Sequence, residues 1–368
     1  MSIQFSRRDL VRGILGGAAS LAFSPIALAN LGPPPGMIAL RFNENPYGPS
    51  AGALKAAAEA SALGAYYADD MQAPLLQTIA TRNNVEFENM VLSSGSNEAL
   101  QAAFVAWGRK GRIIIPSLTY TAHVHYARRM GVEVVPVPLK DDLTIDLDGM
   151  ATAVTDDVSL VYICNPNNPT GHTLDGDELR DFCRSVGRRA VVMIDEAYIE
   201  LTDRPDYTSM IDLVRAGENV IVMRTFSKIF GMAGMRVGYG IGRPDVARTV
   251  ADHVMAWPNG VGLAAAKACY TDDEFIEFSR AKIFEGRDMV VDTLRKNGIE
   301  PLPSQTNFVF ANIGRNGAEF AQQMAERKIL IRGRYAQCPD YIRVSMGKIE
   351  DIETFQAVFT DVFRGRPD

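Results

Sequence analysis

The sequence contains few of the residues that hold metal ions or disulfide bonds. Its 368 residues include only four cysteines and four histidines. The cysteines lie far apart and lack CxxC spacing, so the sequence predicts neither a zinc site nor a dense disulfide framework. The histidines lack the paired ligand spacing with carboxylates that a metal-dependent hydrolase needs. We therefore expect no metal centre, and cysteines that are buried or free.

The chain also lacks an excess of positive charge. Lysine and arginine together number 38, against 44 aspartates and glutamates, which gives a formal net charge of -6. A surface that binds phosphate backbones needs clustered lysine and arginine. The charge balance argues against nucleic acid as a partner and favours small-molecule substrates.

The first 29 residues differ in composition from the rest of the chain. A charged segment that contains Arg7 and Arg8 precedes an apolar stretch, residues 13–29, which ends Ala27-Leu28-Ala29. These are the parts of a secretory signal, and the stretch is too short to span a membrane comfortably. The paired arginines resemble a Tat signal, which the Tat export machinery reads. We interpret residues 1–29 as a Tat-like signal peptide of a periplasmic protein; the alternative is an amphipathic leader on a cytoplasmic protein.

The pattern beyond the leader predicts an α/β fold. Residues 30–48 are rich in proline and read as an extended N-terminal arm, and a helix is expected over residues 51–62. Short apolar, β-branched runs then alternate with helical segments; the runs are residues 111–115, 132–135, 160–163, 190–194 and 220–223. Continuous apolar runs of this kind indicate strands buried on both faces of a mostly parallel sheet.

The regular alternation of apolar strands and helical segments ends after Pro258. Helices are expected over residues 264–269 and 274–297, and strands over residues 307–310, 329–331 and 341–344. We therefore predict a large domain over residues 49–258 and a smaller α+β C-terminal domain over residues 259–368.

Polar residues follow three of the predicted strands, where ligands bind in α/β sheets. Asn168 follows the third run, Asp195 and Tyr198 follow the fourth, and Lys228 follows the fifth. A lone aspartate there is usually a helix cap and a lone lysine is usually solvated. Together, however, they supply the amine, the anion and the hydrogen-bond donors that pyridoxal phosphate requires.

The segment from Ser227 to Gly238 resembles the lysine signature of class I/II aminotransferases. Residues 168–171 (Asn-Pro-Thr-Gly) and 195–198 (Asp-Glu-Ala-Tyr) match two other blocks of that family, in its order. The resemblance spans roughly residues 40–350. It implies a fold-type-I PLP transferase that forms a homodimer with active sites at the subunit interface.

The resemblance also implies catalytic roles. Lys228 would form a Schiff base with pyridoxal phosphate and shuttle a proton. Asp195 would pair with the pyridinium nitrogen, while Asn168 and Tyr198 would hydrogen-bond the ring hydroxyl oxygen. The cofactor phosphate would be contacted by Arg236, Thr225 and Ser227. It would also meet a phosphate loop that contains Ser96, Asn97 and Glu98, although a plain helix cap explains that segment equally well. Tyr120 would stack on the ring, and Tyr67 would contact the partner's phosphate, although the usual Tyr-Pro-Asp is Tyr-Ala-Asp here.

Within the family, residues 43–49 and 341–345 most resemble histidinol-phosphate aminotransferases. The resemblance places Asn45, Tyr47 and Arg343 at the substrate, with Arg343 on its carboxylate or phosphate. Arg332 or Arg334 is a second candidate anion contact, and a solvated surface arginine is an equal alternative for either.

We predict a PLP-dependent aminotransferase that moves an amino group between an amino acid or histidinol phosphate and a 2-oxo acid by a ping-pong cycle. The alternatives are a PLP-dependent decarboxylase or lyase and a noncatalytic PLP-binding module.

If residues 1–29 are a cleaved export signal, the mature chain begins near Asn30. We expect the N-terminal sequence of protein isolated from the periplasm of its native host to start there. Full-length protein beginning at Met1, recovered from the cytosol, would contradict the interpretation.

Overall fold

A seven-stranded sheet lies at the centre of the computed structural model, which describes residues 32–365. Its strand order is β2-β8-β7-β6-β5-β3-β4. The strands are β2 (Met90–Ser93), β3 (Arg112–Pro116), β4 (Val134–Val137), β5 (Val158–Cys164), β6 (Val191–Asp195), β7 (Val220–Thr225) and β8 (Gly238–Gly242), after a two-residue strand β1 (Ile38–Ala39). Strands β3 to β7 are mutually parallel and correspond to the five predicted runs, which confirms the α/β fold. The predicted signal peptide lies outside the described residues.

Two strands of this sheet, β2 and β8, were not predicted. Strand β8 runs antiparallel to both β2 and β7. Its sequence, Gly-Tyr-Gly-Ile-Gly, is a poor strand signal because glycine lacks a side chain to pack. The structure gives the reason for the glycines: a Cβ at Gly238 would overlap the backbone of Ser96, and one at Gly240 would lie 2.9 Å from Met223 Sδ.

The described residues form helices before, between and after these strands. They are α1 (Ala51–Ser61), α2 (Asp69–Asn83), α3 (Ser96–Gly108), α4 (Ala122–Arg129), α5 (Leu147–Ala153), α6 (Gly176–Gly187), α7 (Pro205–Thr208), α8 (Ile211–Arg215), α9 (Pro244–Ala251), α10 (Gly260–Tyr270), α11 (Asp273–Lys296), α12 (Gly317–Glu326) and α13 (Ile349–Phe363). Across residues 32–365, none of them is both long and apolar enough to cross a membrane.

A second, two-stranded sheet is formed in the C-terminal part of the chain. Strands β9 (Phe308–Asn312) and β11 (Tyr341–Ser345) pair antiparallel, with Arg343 opposite Phe310 and Ser345 opposite Phe308; a two-residue strand β10 (Ile329–Leu330) lies between them in sequence. These strands fall where the sequence predicted them. The domain boundary near residue 258 stays a prediction. All four cysteines lie in the described range, and each is buried and free of disulfide bonds.

A buried ion pair fixes the turn that follows β6. The Glu196 side chain is fully buried and accepts hydrogen bonds from Arg224 Nη2 at 2.9 Å, from Ser209 Oγ and from Met210 N. Because a buried carboxylate is costly without partners, this network holds Glu196, and with it the neighbouring Asp195, in one orientation.

Replacing Arg224 by methionine would keep most of the side-chain volume but leave the Glu196 carboxylate without its cation. We expect the free energy of unfolding to fall by about 3–5 kcal/mol in a urea titration. Arg295→Met is the matched control, since Arg295 forms its ion pair with Glu300 at the surface. This substitution should leave the midpoint of the urea titration unchanged. Equal effects from both substitutions would show that the buried pair does not stabilise this turn.

Candidate active site

The strand ends bring three of the predicted site residues to one edge of the sheet. Strand β6 lies between β5 and β7, with Asp195 in register with Cys164 on one side and Met223 on the other. Asn168 follows β5 and Lys228 follows β7. Because all three strands are parallel, the segments that leave their carboxyl ends converge.

Asp195 presents one carboxylate oxygen that lacks a partner. The residue is 3% exposed, and its Oδ2 accepts a hydrogen bond from the Tyr162 hydroxyl at 3.1 Å. Its Oδ1 is buried and has no hydrogen-bond partner among residues 32–365. Burial raises the pKa of Asp195 to about 6, while the Tyr162 hydrogen bond lowers it. A cation at Oδ1 would stabilise the ionised form.

Lys228 lies partly buried, close enough to Asp195 for their charges to interact. Its Nζ donates to the carbonyl oxygens of Phe42 at 3.4 Å and Asn43 at 3.2 Å, and lies 5.7 Å from the centroid of the Tyr198 ring. Burial lowers the pKa of Lys228 to about 8, and the positive charge of Arg343 acts in the same direction. A neutral amine, the nucleophilic form, is therefore readily available near neutral pH.

Asn168, Tyr198 and Arg343 form one hydrogen-bonded cluster beside Lys228. Asn168 Nδ2 donates to Tyr198 Oη at 3.2 Å, and Asn168 Oδ1 accepts from Arg343 Nη1 at 2.6 Å. Arg343 Nη2 donates to the carbonyl oxygen of Arg41 at 2.8 Å, and its buried Nε is unpartnered within residues 32–365. Arg343 is 4% exposed, and burial lowers its pKa. The guanidinium is thus oriented toward the site by protein acceptors.

The predicted phosphate contacts also come together. Gly95 has a φ of 79°, and a Cβ there would overlap the Arg236 guanidinium. Arg236 Nη1 donates to Ser227 Oγ at 3.3 Å, and Thr225 Oγ1 donates to the same oxygen at 2.9 Å. Ser96 begins helix α3, and no side chain caps this end of the helix, where an anion can bind. These groups form a cradle of hydroxyls, amides and one guanidinium.

The arrangement fits pyridoxal phosphate on two observations of the structure. The unpartnered Oδ1 of Asp195 is the acceptor that a protonated pyridine nitrogen needs. The cradle at Gly95 and Arg236 exists only because no Cβ fills it, and it offers donors suited to a phosphate dianion.

Tyr120, Asn97, Glu98 and Tyr67 make protein contacts that leave their predicted roles untested. Tyr120 Oη donates to Asn97 Oδ1 at 3.3 Å. The Glu98 carboxylate accepts from the backbone N–H groups of Ser94 at 2.6 Å and Ala256 at 2.7 Å, which holds the loop before α3 in place. Tyr67 is 85% exposed.

The predicted substrate contacts Asn45, Tyr47 and Arg332 also stay predictions. Asn45 Nδ2 donates to the carbonyl oxygen of Ile229, and Tyr47 Oη accepts from Ile349 N at the start of α13. Both side chains therefore brace the arm against neighbouring elements. The Arg332 side chain is exposed. Its backbone forms an isolated antiparallel β-bridge with the backbone of Arg343.

Sequence reasoning missed Tyr162 and Asn43. Tyr162 lies within β5, where a tyrosine among buried aliphatic residues signals that its hydroxyl has a polar partner. Asn43 belongs to the segment 43–49, in which the family resemblance points to Asn45 and Tyr47. Its φ of 58°, which few residue types tolerate, appears only in the structure.

Comparison with known proteins identifies the family to which this chain belongs. The sequence profile "Aminotransferase class I and II" matches residues 35–358. The histidinol-phosphate aminotransferase of Moorella thermoacetica is 34% identical over 325 residues, which cover 87% of this chain and 83% of that protein. The aromatic amino acid aminotransferase of Mycobacteroides abscessus is 36% identical over 323 residues, covering 87% and 92%.

Among solved structures, the histidinol-phosphate aminotransferase from Sinorhizobium meliloti, in complex with pyridoxal-5'-phosphate, superposes with a TM-score of 0.82 at 28% identity and covers 99% of both chains. With a family profile that spans most of its length and relatives above 30% identity, this chain belongs to the aminotransferase class I and II family.

Proposed function

We propose that this chain, a PLP-dependent aminotransferase, takes its amino group from a primary amine that carries an acidic group, either an L-amino acid or histidinol phosphate, and passes it to a 2-oxo acid. The observation that carries the proposal is Arg343, a buried guanidinium with an unpartnered Nε beside the Lys228 amine. Since buried charges are costly without a partner, such a group favours a ligand anion.

Five residues would hold the cofactor and the reacting atoms. Asp195 would accept a hydrogen bond from the protonated ring nitrogen at its unpartnered Oδ1. Asn168 and Tyr198 would donate hydrogen bonds to the ring hydroxyl oxygen. Arg236 would bind the phosphate. Bound pyridoxal phosphate supplies the electron sink for the transfer. Lys228, whose pKa is about 8, accepts and returns the proton at Nζ.

Arg343 would set the orientation of the substrate. Its Nη1 and Nη2 are already held by Asn168 and Arg41, so the guanidinium plane is fixed before a ligand arrives. Such preorganisation reduces the entropy lost on binding. A carboxylate and a phosphate both satisfy the guanidinium, which is consistent with relatives that act on histidinol phosphate or aromatic amino acids.

We also propose that the protein works as a homodimer. Four large side chains are exposed: Tyr66 to 78%, Tyr67 to 85%, Met255 to 89% and Trp257 to 66%. The ring centroids of Tyr67 and Trp257 lie 5.2 Å apart. Large apolar side chains exposed together favour a protein interface. In such a dimer, the family resemblance places Tyr67 at the phosphate cradle of the neighbouring copy.

The location we propose is the periplasm, reached through the Tat machinery.

The substrate proposal is tested by Arg343→Lys, which keeps the charge but loses the forked pair of donors. Removing a hydrogen bond to a charged group costs about 3 kcal/mol at most, so kcat/KM for the preferred amino donor should fall by up to about 100-fold. The assay offers histidinol phosphate and a panel of L-amino acids to the holoenzyme and follows the keto product.

Two further variants calibrate this assay. Arg332→Lys should have a smaller effect, because that side chain is exposed, and Lys228→Ala should be inactive with every donor. An Arg343→Lys variant with wild-type kcat/KM for all donors would contradict the role of Arg343. Carbon dioxide as the product from any donor would favour decarboxylation instead.

A further inference from the structure

Asn43 is a buried residue of the arm whose hydrogen bonds reach three parts of the site. It is 1% exposed. Its Nδ2 donates to Tyr198 Oη at 3.0 Å, and its carbonyl oxygen accepts from Lys228 Nζ at 3.2 Å and from Asn307 Nδ2 at 2.9 Å. Its N–H donates to Ser345 Oγ at 3.0 Å, and its Oδ1 accepts from that hydroxyl at 2.7 Å. Every polar group of Asn43 is therefore held.

The contacts with Ser345 decide which end of the Asn43 amide faces Tyr198. The Ser345 hydroxyl accepts from the Asn43 backbone N–H, so its single proton is available to donate to Oδ1. With the amide turned over, its NH2 group would face this hydroxyl and the hydroxyl proton would lose its acceptor. Nδ2 is thus the end that points at Tyr198.

The backbone at Asn43 and the two residues before it directs carbonyl groups at Lys228 and Arg343. Its φ of 58° is left-handed, a conformation that asparagine tolerates better than most residues. Arg41 O accepts from Arg343 Nη2 at 2.8 Å, whereas Phe42 O and Asn43 O accept from Lys228 Nζ at 3.4 and 3.2 Å. Three consecutive carbonyl groups therefore contact the proposed substrate anchor and the proposed proton carrier.

The side chain of Asn43 also determines what the Tyr198 hydroxyl can do. That oxygen accepts from Asn43 Nδ2 and from Asn168 Nδ2, at 3.0 and 3.2 Å. A hydroxyl has two acceptor positions and one proton, so both acceptor positions are used. The proton of Tyr198 is left to donate to a third group, and the ring hydroxyl oxygen of a bound cofactor is the acceptor that the proposed function provides.

We propose that Asn43 is a positioning residue of the amino transfer, which directs the Tyr198 proton toward the cofactor and holds the Lys228 amine through the carbonyl groups of its left-handed turn. This inference rests on the proposed function, because it acts through the cofactor contacts proposed there.

Several charged and titratable groups face Tyr198 from the elements packed around it. They are Arg343 from β11, Cys164 from β5, Asp195 from β6 and Lys228 from the segment after β7. Burial raises the pKa of Tyr198, while Arg343 and the hydrogen bond from Asn43 lower it. Loss of the Asn43 donor would therefore make Tyr198 a weaker hydrogen-bond donor.

Asn43→Asp is the most direct test. Aspartate keeps the size and tolerates the left-handed conformation, but replaces the amide donor by a carboxylate. A donor at the ring hydroxyl oxygen favours the anionic form of that oxygen, so weakening it should move the pH titration of the holoenzyme's visible absorption band upward by about one pH unit. kcat should fall by about 100-fold with KM for the amino donor nearly unchanged.

The matched control is Asn84→Asp, since Asn84 also has a left-handed φ, of 51°, but lies exposed at the end of α2. This variant should keep the wild-type midpoint of the pH titration and the wild-type kcat. If Asn43→Asp does not fold, Asn43→Gly is measured instead, since glycine keeps the left-handed turn and removes only the side chain. The midpoint of the pH titration should then rise, but by less than expected for Asn43→Asp.

Variants of Asn43 that retain both the wild-type titration and the wild-type kcat would overturn the inference. If the wild-type protein itself shows no visible band with pyridoxal phosphate, the proposed function fails and this inference fails with it. If the wild-type protein shows the band and the Asn43 variants retain both the titration and kcat, only the role of Asn43 is removed and the proposed function stands.

Discussion

A carboxylate buried at the end of β6 is the constraint on which the rest of the site depends. Asp195 is 3% exposed, and within residues 32–365 its Oδ1 lacks a partner, so the protein keeps an acceptor in a place where ionisation is unfavourable. At about 3 Å and an effective dielectric constant of about 20, a cation there gains roughly 5 kcal/mol before desolvation. That is comparable to roughly four pK units, enough to keep a pyridine nitrogen protonated at neutral pH.

The neighbouring elements are organised to keep this acceptor in place. Tyr162 holds Oδ2 from β5, and the buried pair of Glu196 and Arg224 fixes the turn that follows. On the opposite side of the site, the arm carries Asn43 against Tyr198 and Lys228. The reactive amine and the buried acid are thus supported by separate parts of the chain, which gives each a defined environment and a shifted pKa.

The sequence predicted the parts of this site that local patterns encode. The five parallel strands could be predicted because buried strands are continuous apolar runs, and the residues after β5, β6 and β7 follow from where those strands end. Strand β8 could not be predicted, because its glycines are explained only by the close approach of Ser96 to Gly238 and of Met223 to Gly240. The contacts of Asn43 join residues 155 and 302 positions apart, and no local pattern encodes pairings of that length.

We propose that Lys228, among all the lysines of the chain, is the residue that reacts with the aldehyde of pyridoxal phosphate. Borohydride reduction of the holoenzyme, followed by peptide mass spectrometry, tests this proposal most directly. We expect one phosphopyridoxyl group per chain, located on the peptide that contains Lys228. The same group found on another lysine, or reduction that leaves the Lys228 peptide unmodified, would contradict it.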